Sequence, residues 1–178
     1  LAAACREADV HGLVEDALDA GLLTIEEDRV TMHDLWRDWF VERLRSRRSG
    51  EAWPLVQAAV GLALEQAGES ERALDHYVSA IDVPEARGAV VRLLSEEADR
   101  WVSRGHRRSV ERALARLTED DRASAPALMA LEGLLLSGRD PDRAIQHLKE
   151  AAMAYGEAGN ARAEFMCLHE LSVVAINE

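Results

Sequence analysis

Two ten-residue segments of this chain match closely, and this internal repeat limits the folds that the chain can adopt. The first segment is ERALDHYVSA (71–80) and the second is DRAIQHLKEA (142–151). Ala73 corresponds to Ala144, 71 residues later, which is about two units of the 20–50 residues that are typical of repeat proteins. The sequence therefore predicts an array of similar units, each of which buries its apolar face against its neighbours.

The chain beyond Gly50 has helical periodicity throughout. Apolar residues recur at spacings of three and four, and glycine, proline or acidic residues interrupt them at intervals. The segments predicted to be helical are 52–67, 70–81, 84–103, 107–117, 124–137, 141–157 and 160–176. Pro84 and Pro141 come at predicted helix starts, where the N–H that proline lacks would have no partner in any case. We expect helices joined by short turns, with no strand in this part.

The two matching units carry small and large residues in an order that resembles the tetratricopeptide repeat. That family has a small residue in helix A, and in helix B an alanine, a large residue four positions later and a second alanine three further on. Those positions are Gly61, Ala73, Tyr77 and Ala80 in one unit and Gly133, Ala144, Leu148 and Ala151 in the other. Small residues allow the paired helices to approach closely, and the large residue fills the space that remains. The resemblance covers 52–176, with a degenerate middle unit at 107–117.

The first fifty residues have a different pattern. Apolar residues at helical spacing run from Leu13 to Leu22, and Gly21 is placed where a glycine ends a helix. Two short β-type runs then flank an acidic turn at 26–29, which predicts a hairpin. Helical periodicity returns over 34–48, and we expect Trp36, Trp39 and Phe40 to form a core with Trp53. Because Ser49-Gly50 breaks this pattern, the predicted domains are a winged helix at 1–49 and helical repeats at 50–178.

Met32-His33-Asp34 connects this hairpin to the following helix. The arrangement resembles the winged helix that closes the nucleotide-switch module of STAND-class signalling ATPases, both the NB-ARC proteins and the MalT-like regulators of the LuxR type. In NB-ARC proteins the histidine of this motif contacts the β-phosphate of ADP. The resemblance implies the same contact for His33 in a full-length protein that binds ATP or ADP. The alternative is a structural role, in which His33 caps the 34–48 helix or packs on the hairpin.

Winged helices often bind DNA, but the charge of this one opposes that function. The net charge of the chain is −12 and its pI is about 5.0. No Arg or Lys occurs from Asp9 to Gly21, in the helix that would enter the groove of DNA. The acidic residues of this helix and of the hairpin are Asp9, Glu15, Asp16, Asp19, Glu26, Glu27 and Asp28. Because phosphate backbones repel such a surface, we expect no direct binding of nucleic acid by this chain.

The sequence carries no recognisable catalytic or metal-binding motif. It has no GxxxxGK[ST], and its one lysine, Lys149, follows no glycine-rich loop. None of the six histidines has metal-ligand spacing, and His76 and His147 share one position of the repeat. Cys5 and Cys167 are far apart without a CxxC, which is typical of a reducing compartment. We expect a cytoplasmic, non-enzymatic chain with no metal or cofactor of its own and no membrane contact.

The patterns together predict a mainly α chain, with a small winged helix followed by a tetratricopeptide-like α-solenoid. The expected function is sensing and interaction within a STAND-type, MalT-like transcriptional regulator. The repeat surface would bind a small-molecule inducer or a protein, and the winged helix would couple binding to an NTPase module before Leu1. Since the chain lacks an initial Met and stops inside a predicted helix, we expect a piece of a longer protein. Two alternatives are a tetratricopeptide scaffold of an NB-ARC-type protein without a transcriptional role and a DNA-binding winged helix.

Overall fold

The computed structural model describes residues 10–26, 29–32, 36–39, 41–42 and 52–176. These residues are mainly helical and include one two-stranded antiparallel sheet, so the prediction of a mainly α chain is confirmed. The chain divides into two compact units, an N-terminal unit at Leu1–Val83 and a C-terminal unit at Pro84–Glu178.

The first described elements of the N-terminal unit are a helix and a hairpin, as the sequence predicts. Helix α1 spans Val10–Asp19, strand β1 spans Leu23–Glu26, and strand β2 spans Arg29–Met32. Gly21 ends α1 with a φ of +68°, and its N–H donates to the Leu18 carbonyl oxygen over 2.9 Å. This backbone conformation favours glycine because it has no Cβ. The strands pair in an antiparallel register that places Leu23 opposite Met32.

Three residues of the expected aromatic core, Trp36, Trp39 and Trp53, lie in the described part of the N-terminal unit. Residues 36–39 and 41–42 are helical, while the rest of the predicted 34–48 helix lies outside the described residues. Trp36 and Trp39 are 41% and 48% exposed, and their rings meet edge to face at a centroid distance of 6.2 Å. Edge-to-face contact of this kind is a favourable arrangement of two aromatic rings.

A helical hairpin completes the N-terminal unit. Helix α2 spans Ala52–Gln66 and helix α3 spans Ser70–Ser79, with Gly68 between them at a φ of +79°. The hairpin closes around Gly61, because a Cβ atom there would lie 2.8 Å from the ring of Tyr77. The Tyr77 hydroxyl donates to the Glu65 carboxylate over 2.9 Å, which holds the ring in place.

The C-terminal unit is built from six helices within its described residues. Their bounds are Pro84–Ser103 for α4, Arg107–Leu114 for α5, Glu119–Ala123 for α6, Pro126–Leu136 for α7, Pro141–Glu157 for α8 and Ala161–Ile176 for α9. Neighbouring helices pack in the order α4–α5, α4–α7, α7–α8 and α8–α9. The small residues of the repeat pattern are buried in both units, with Ala73 and Ala144 each 0% exposed. The helix pairs therefore approach closely at the positions that the repeat register predicts.

Helix α6 lies in a segment that the sequence analysis left as a break between 107–117 and 124–137. Thr118 and Asp121 form a capping box: the Thr118 hydroxyl accepts from the Asp121 N–H, and the Asp121 carboxylate accepts from the Thr118 N–H over 2.9 Å. This reciprocal pair satisfies N–H groups that would otherwise have no partner. It stabilises a short helix in a run of acidic residues that we interpreted as a turn.

Candidate functional site

A groove of about 570 Å³ lies among four helices of the C-terminal unit. We call it the α4–α7–α9 groove, after the three helices that supply most of its lining. Its lining residues are Leu94, Ser95, Glu96, Asp99, Ala127, Ala130, Leu131, Leu134, Leu148, Tyr155, Asn160, Arg162, Ala163, Met166, Cys167 and Glu170. Leu94, Leu131 and Leu148 are at most 3% exposed and give the groove an apolar interior. Its volume lies in the range of about 300–1,000 Å³ that is typical of small-molecule sites.

One face of α9 contributes charged and apolar side chains in alternation. Arg162, Met166 and Glu170 follow each other at intervals of four residues, so they lie on the same side of the helix. The start of α9 is held by Asn160, whose side-chain oxygen accepts from the Ala163 N–H over 3.2 Å. The Asn160 N–H in turn donates to the Tyr155 carbonyl oxygen over 2.9 Å. These bonds fix the start of α9, and the face of α9 that carries Arg162, Met166 and Glu170 lines the groove.

Two weakly acidic groups of the groove are kept in their neutral forms. Burial raises the pKa of the Tyr155 phenol, and the nearby Cys167 and Asp99 raise it further. Burial also raises the pKa of the Cys167 thiol, with a further contribution from Glu170. Desolvation and like charge both disfavour the ionised forms. Near pH 7 the groove therefore presents a neutral phenol and a neutral thiol beside the Asp99 and Glu170 carboxyl groups.

The two histidines of the repeat pattern make contacts between paired helices. His76 on α3 places its Nδ1 atom 2.7 Å from Gln57 Oε1 on α2. Burial lowers the pKa of His76; Asp75 opposes this shift and Arg72 adds to it. His147 on α8 has its Nδ1 atom 3.9 Å from Glu132 Oε2 on α7. Both side chains are half-buried and lie against the paired helix.

The predicted phosphate contact, His33, lies outside the described residues, as does Asp34. Met32, the first residue of that motif, is the last residue of β2. Within the described ranges, no three His, Cys, Asp or Glu side chains are grouped so that they could hold a metal ion. Among the same residues, every helix is too short or too polar to span a lipid bilayer.

We expected a binding surface on the repeats, and the two groove residues named from the sequence, Leu148 and Cys167, were not assigned to binding. The repeat register assigns α7 to helix A, and this helix supplies Ala127, Ala130, Leu131 and Leu134 to the lining. The alternation of Arg162, Met166 and Glu170 was visible in the sequence as a helical stripe. Nothing local to the stripe indicates that Asp99 and Tyr155 lie at the same groove, because they come from other helices.

No protein-family model, curated protein or solved structure matches this chain. A function for the chain is therefore inferred from its fold and its groove.

Proposed function

We propose that this chain is the sensing and interaction region of a STAND-type, MalT-like transcriptional regulator. The α4–α7–α9 groove is the binding site for a small-molecule inducer, and it is the observation that carries the proposal. Its interior is apolar, and its polar groups come from three helices. These three helices are α4, α8 and α9. A ligand that contacts all three would favour one arrangement of them, which is the physical basis of a sensor.

Helix packing supports the assignment of a tetratricopeptide-like solenoid. Gly61 faces Tyr77 in one helix pair and Gly133 faces Leu148 in the other, so small and large residues meet as in that family. In this assignment α4, α7 and α9 are the A helices of successive pairs. A groove lined by successive A helices is the inner surface of such a solenoid.

The order of elements before the repeats supports a winged helix of the nucleotide-switch kind. Helix α1, the β1–β2 hairpin and the helical residues after Asp34 follow each other as in that domain. In the described part of α1, Glu15 and Asp19 are exposed acidic groups, which opposes insertion into DNA. We assign this domain to the coupling of ligand binding to an NTPase module that binds ATP or ADP.

The nucleotide part of the proposal is tested with the full-length protein. Purified wild-type protein is expected to retain ADP, and His33→Ala is expected to retain much less because a phosphate contact is lost. Glu42→Gln is the matched control, since Glu42 is an exposed residue of the same region. Nucleotide content is measured by chromatography of the denatured protein. Equal ADP in the wild-type protein and the His33→Ala variant would contradict the role of His33.

The groove part is tested by filling the groove. Ala127→Trp places a large ring at a half-buried lining position, and Ala175→Trp is the control on an exposed part of α9 that does not line the groove. A small-molecule library is screened for compounds that raise the melting temperature of the full-length protein. The proposal predicts compounds that stabilise the wild-type and Ala175→Trp proteins but not Ala127→Trp. A screen in which every stabilising compound acts equally on Ala127→Trp would exclude the groove as the sensor site.

A protein-binding scaffold of the NB-ARC type is the second candidate. It is favoured by apolar side chains on α9 that are exposed, since Phe165 is 66% and Leu168 is 48% exposed. Adjacent exposed apolar groups are typical of protein-binding surfaces. In a scaffold, Phe165→Ser should abolish a stoichiometric complex that the full-length protein forms in its own cell, whereas Ala127→Trp should leave it intact. Loss of the complex in Ala127→Trp alone would favour the inducer groove instead.

A further inference from the structure

Negative charge predominates among the charged groups of the α4–α7–α9 groove. Its carboxyl groups belong to Glu96, Asp99 and Glu170, and its single guanidinium belongs to Arg162. Glu96 is paired, because its Oε2 atom lies 3.7 Å from Arg92 Nη1. In the described part of the chain, Asp99 and Glu170 form no ion pair. The groove therefore contains two carboxylates whose charge is not compensated by a neighbouring side chain.

These two carboxylates line the groove together with the side chains of Tyr155 and Cys167. Asp99 on α4 acts electrostatically on Tyr155, and Glu170 on α9 acts on Cys167. Tyr155 packs against the buried cluster that contains Cys167, and all four side chains line the groove, so we refer to them as its polar patch. The aromatic ring of Tyr155 adds a surface that attracts cations through its quadrupole. Two carboxylates and a tyrosine ring on the lining of one groove form an environment that suits an ammonium group.

We propose that the α4–α7–α9 groove is selective for small cationic molecules with an apolar body, the amine lying at the Asp99–Tyr155–Glu170 patch. The apolar body would contact Leu131, Leu134 and other apolar lining residues. This inference rests on the proposed function, which needs only that the groove binds an inducer, and it adds the chemical class of that ligand.

The positions of the charges explain why an amine is favoured over a carboxylate. Arg162 precedes Glu170 by eight residues on α9, which is about 12 Å along a helix. An anionic head group at the polar patch would be repelled by both carboxylates, and the groove lining has one guanidinium against three carboxyl groups. The net charge of −12 adds a long-range field of the same sign, which attracts cations and repels anions.

Three probes with one apolar body and different head groups test the selectivity. They are 4-phenylbutylamine, which is cationic, 4-phenylbutanol, which is neutral, and 4-phenylbutyrate, which is anionic at pH 7. Binding to the full-length protein is measured by calorimetry at low ionic strength and again at high salt. The amine is expected to bind about tenfold or more tightly than the butyrate, and high salt should narrow this difference. Equal affinities for the three probes, tighter binding of the butyrate or no binding of the amine would overturn the proposal.

Charge-removing variants locate the amine. Asp99→Asn and Glu170→Gln keep the shape of each side chain, and each should weaken amine binding several-fold while leaving 4-phenylbutanol unaffected. Glu157→Gln is the matched control, because Glu157 is exposed on α8 and does not line the groove. Circular dichroism of each variant confirms that it is folded. Amine binding that is unchanged in both Asp99→Asn and Glu170→Gln would also overturn the proposal.

The two proposals fail in different ways. In one case the protein binds the three probes equally while the library screen still yields compounds that fail to stabilise Ala127→Trp. The sensor groove then stands and the proposed ligand class is wrong. If every stabilising compound also acts on Ala127→Trp, the sensor groove itself is excluded. Amine binding that persists in Ala127→Trp would place the amine outside the groove and would contradict the assigned site.

Discussion

Gly133 on α7 lies directly against the side chain of Leu148 on α8. A Cβ atom at position 133 would lie 2.6 Å from Leu148 Cγ and 3.1 Å from the Ala144 carbonyl oxygen. Leu148 is fully buried and packs with Ala144 and Val174, so it has little room to move. Because Leu148 also lines the α4–α7–α9 groove, this contact joins the packing of the repeat to the candidate site.

Gly133→Ala is expected to destabilise the C-terminal unit. Alanine favours the helix by about 1 kcal/mol over glycine, but overpacking at this contact costs about 1–3 kcal/mol. The free energy of unfolding is measured with denaturant, and Gly138→Ala is the control because no atom lies within 4 Å of its added Cβ. When Leu148 is also replaced by alanine, Gly133→Ala should lower the free energy of unfolding by less, since the clashing leucine atoms are gone. A Gly133→Ala protein as stable as Gly138→Ala would contradict the close packing.

Thr118→Ala is expected to destabilise the α6 region by about 1 kcal/mol, because a capping hydroxyl is lost. Thr118→Ser keeps the hydroxyl and should retain most of the stability. The hydroxyl and N–H of Thr118 hold the pKa of Asp121 below its usual value, and Arg87 and Arg122 add to the effect. Thermal melts of the three proteins at neutral pH measure the difference. If Thr118→Ser were as unstable as Thr118→Ala, the hydroxyl would not be the cause.

The capping box also predicts a pH dependence. Since the pKa of Asp121 is lowered on folding, its stabilising contribution is present above the usual aspartate pKa and is lost as pH falls through the lowered one. Asp121→Asn should therefore show a smaller loss of stability on acidification than the wild-type protein. Unfolding is followed by denaturant titration from neutral pH to about pH 3. Parallel losses in both proteins would indicate that other carboxyl groups dominate.

His76 predicts a second pH dependence of stability, in the N-terminal unit, which arises from a base that is neutral in the folded state. Its pKa is lowered in the folded chain, so the folded state prefers the neutral ring. Stability is then complete above the usual histidine pKa and falls as the pH is lowered through it towards the folded-state value. Hydrogen exchange of the α2–α3 amides should therefore be faster at pH 5.5 than at pH 7.5, after correction for the intrinsic exchange rate. His76→Gln should lose this dependence and His169→Gln, on an exposed face of α9, should keep it.

Arg107 connects α5 to α7, and we expect its replacement by lysine to lower the stability of the C-terminal unit. Its Nε atom donates to Glu111 over 2.9 Å, and its Nη2 atom donates to the Leu135 carbonyl oxygen near the end of α7. The planar guanidinium of arginine makes both bonds at once, whereas the single ammonium of lysine cannot. Arg107→Lys should therefore lower the free energy of unfolding by about 1 kcal/mol. Arg108→Lys, at an exposed neighbouring position, is the control. Equal stability of the two variants would show that the bond to Leu135 contributes nothing.

Helix ends and the pairing register could be predicted because they depend on residues close together in sequence. Gly21 and Gly68 end helices at positive φ where the periodic pattern stops. Gly61 and Gly133 were assigned as small residues from the repeat alone, and each faces the large residue of its own unit. Helix α6 was missed because a run of acidic residues resembles a turn unless the bonding of Thr118 with Asp121 is recognised.

Apolar spacing and capping within a few residues are enough to predict every helix of the repeats except α6, most of the helix limits and the faces that the helices bury. Which helices share the groove depends on how they pack in three dimensions. Asp99 and Glu170 are 71 residues apart, and they lie at one site because α4 and α9 both meet the groove beside α7. A helical pattern specifies that one face must be covered but not which helix covers it. The relative positions of side chains from different helices are therefore set by packing across the whole unit.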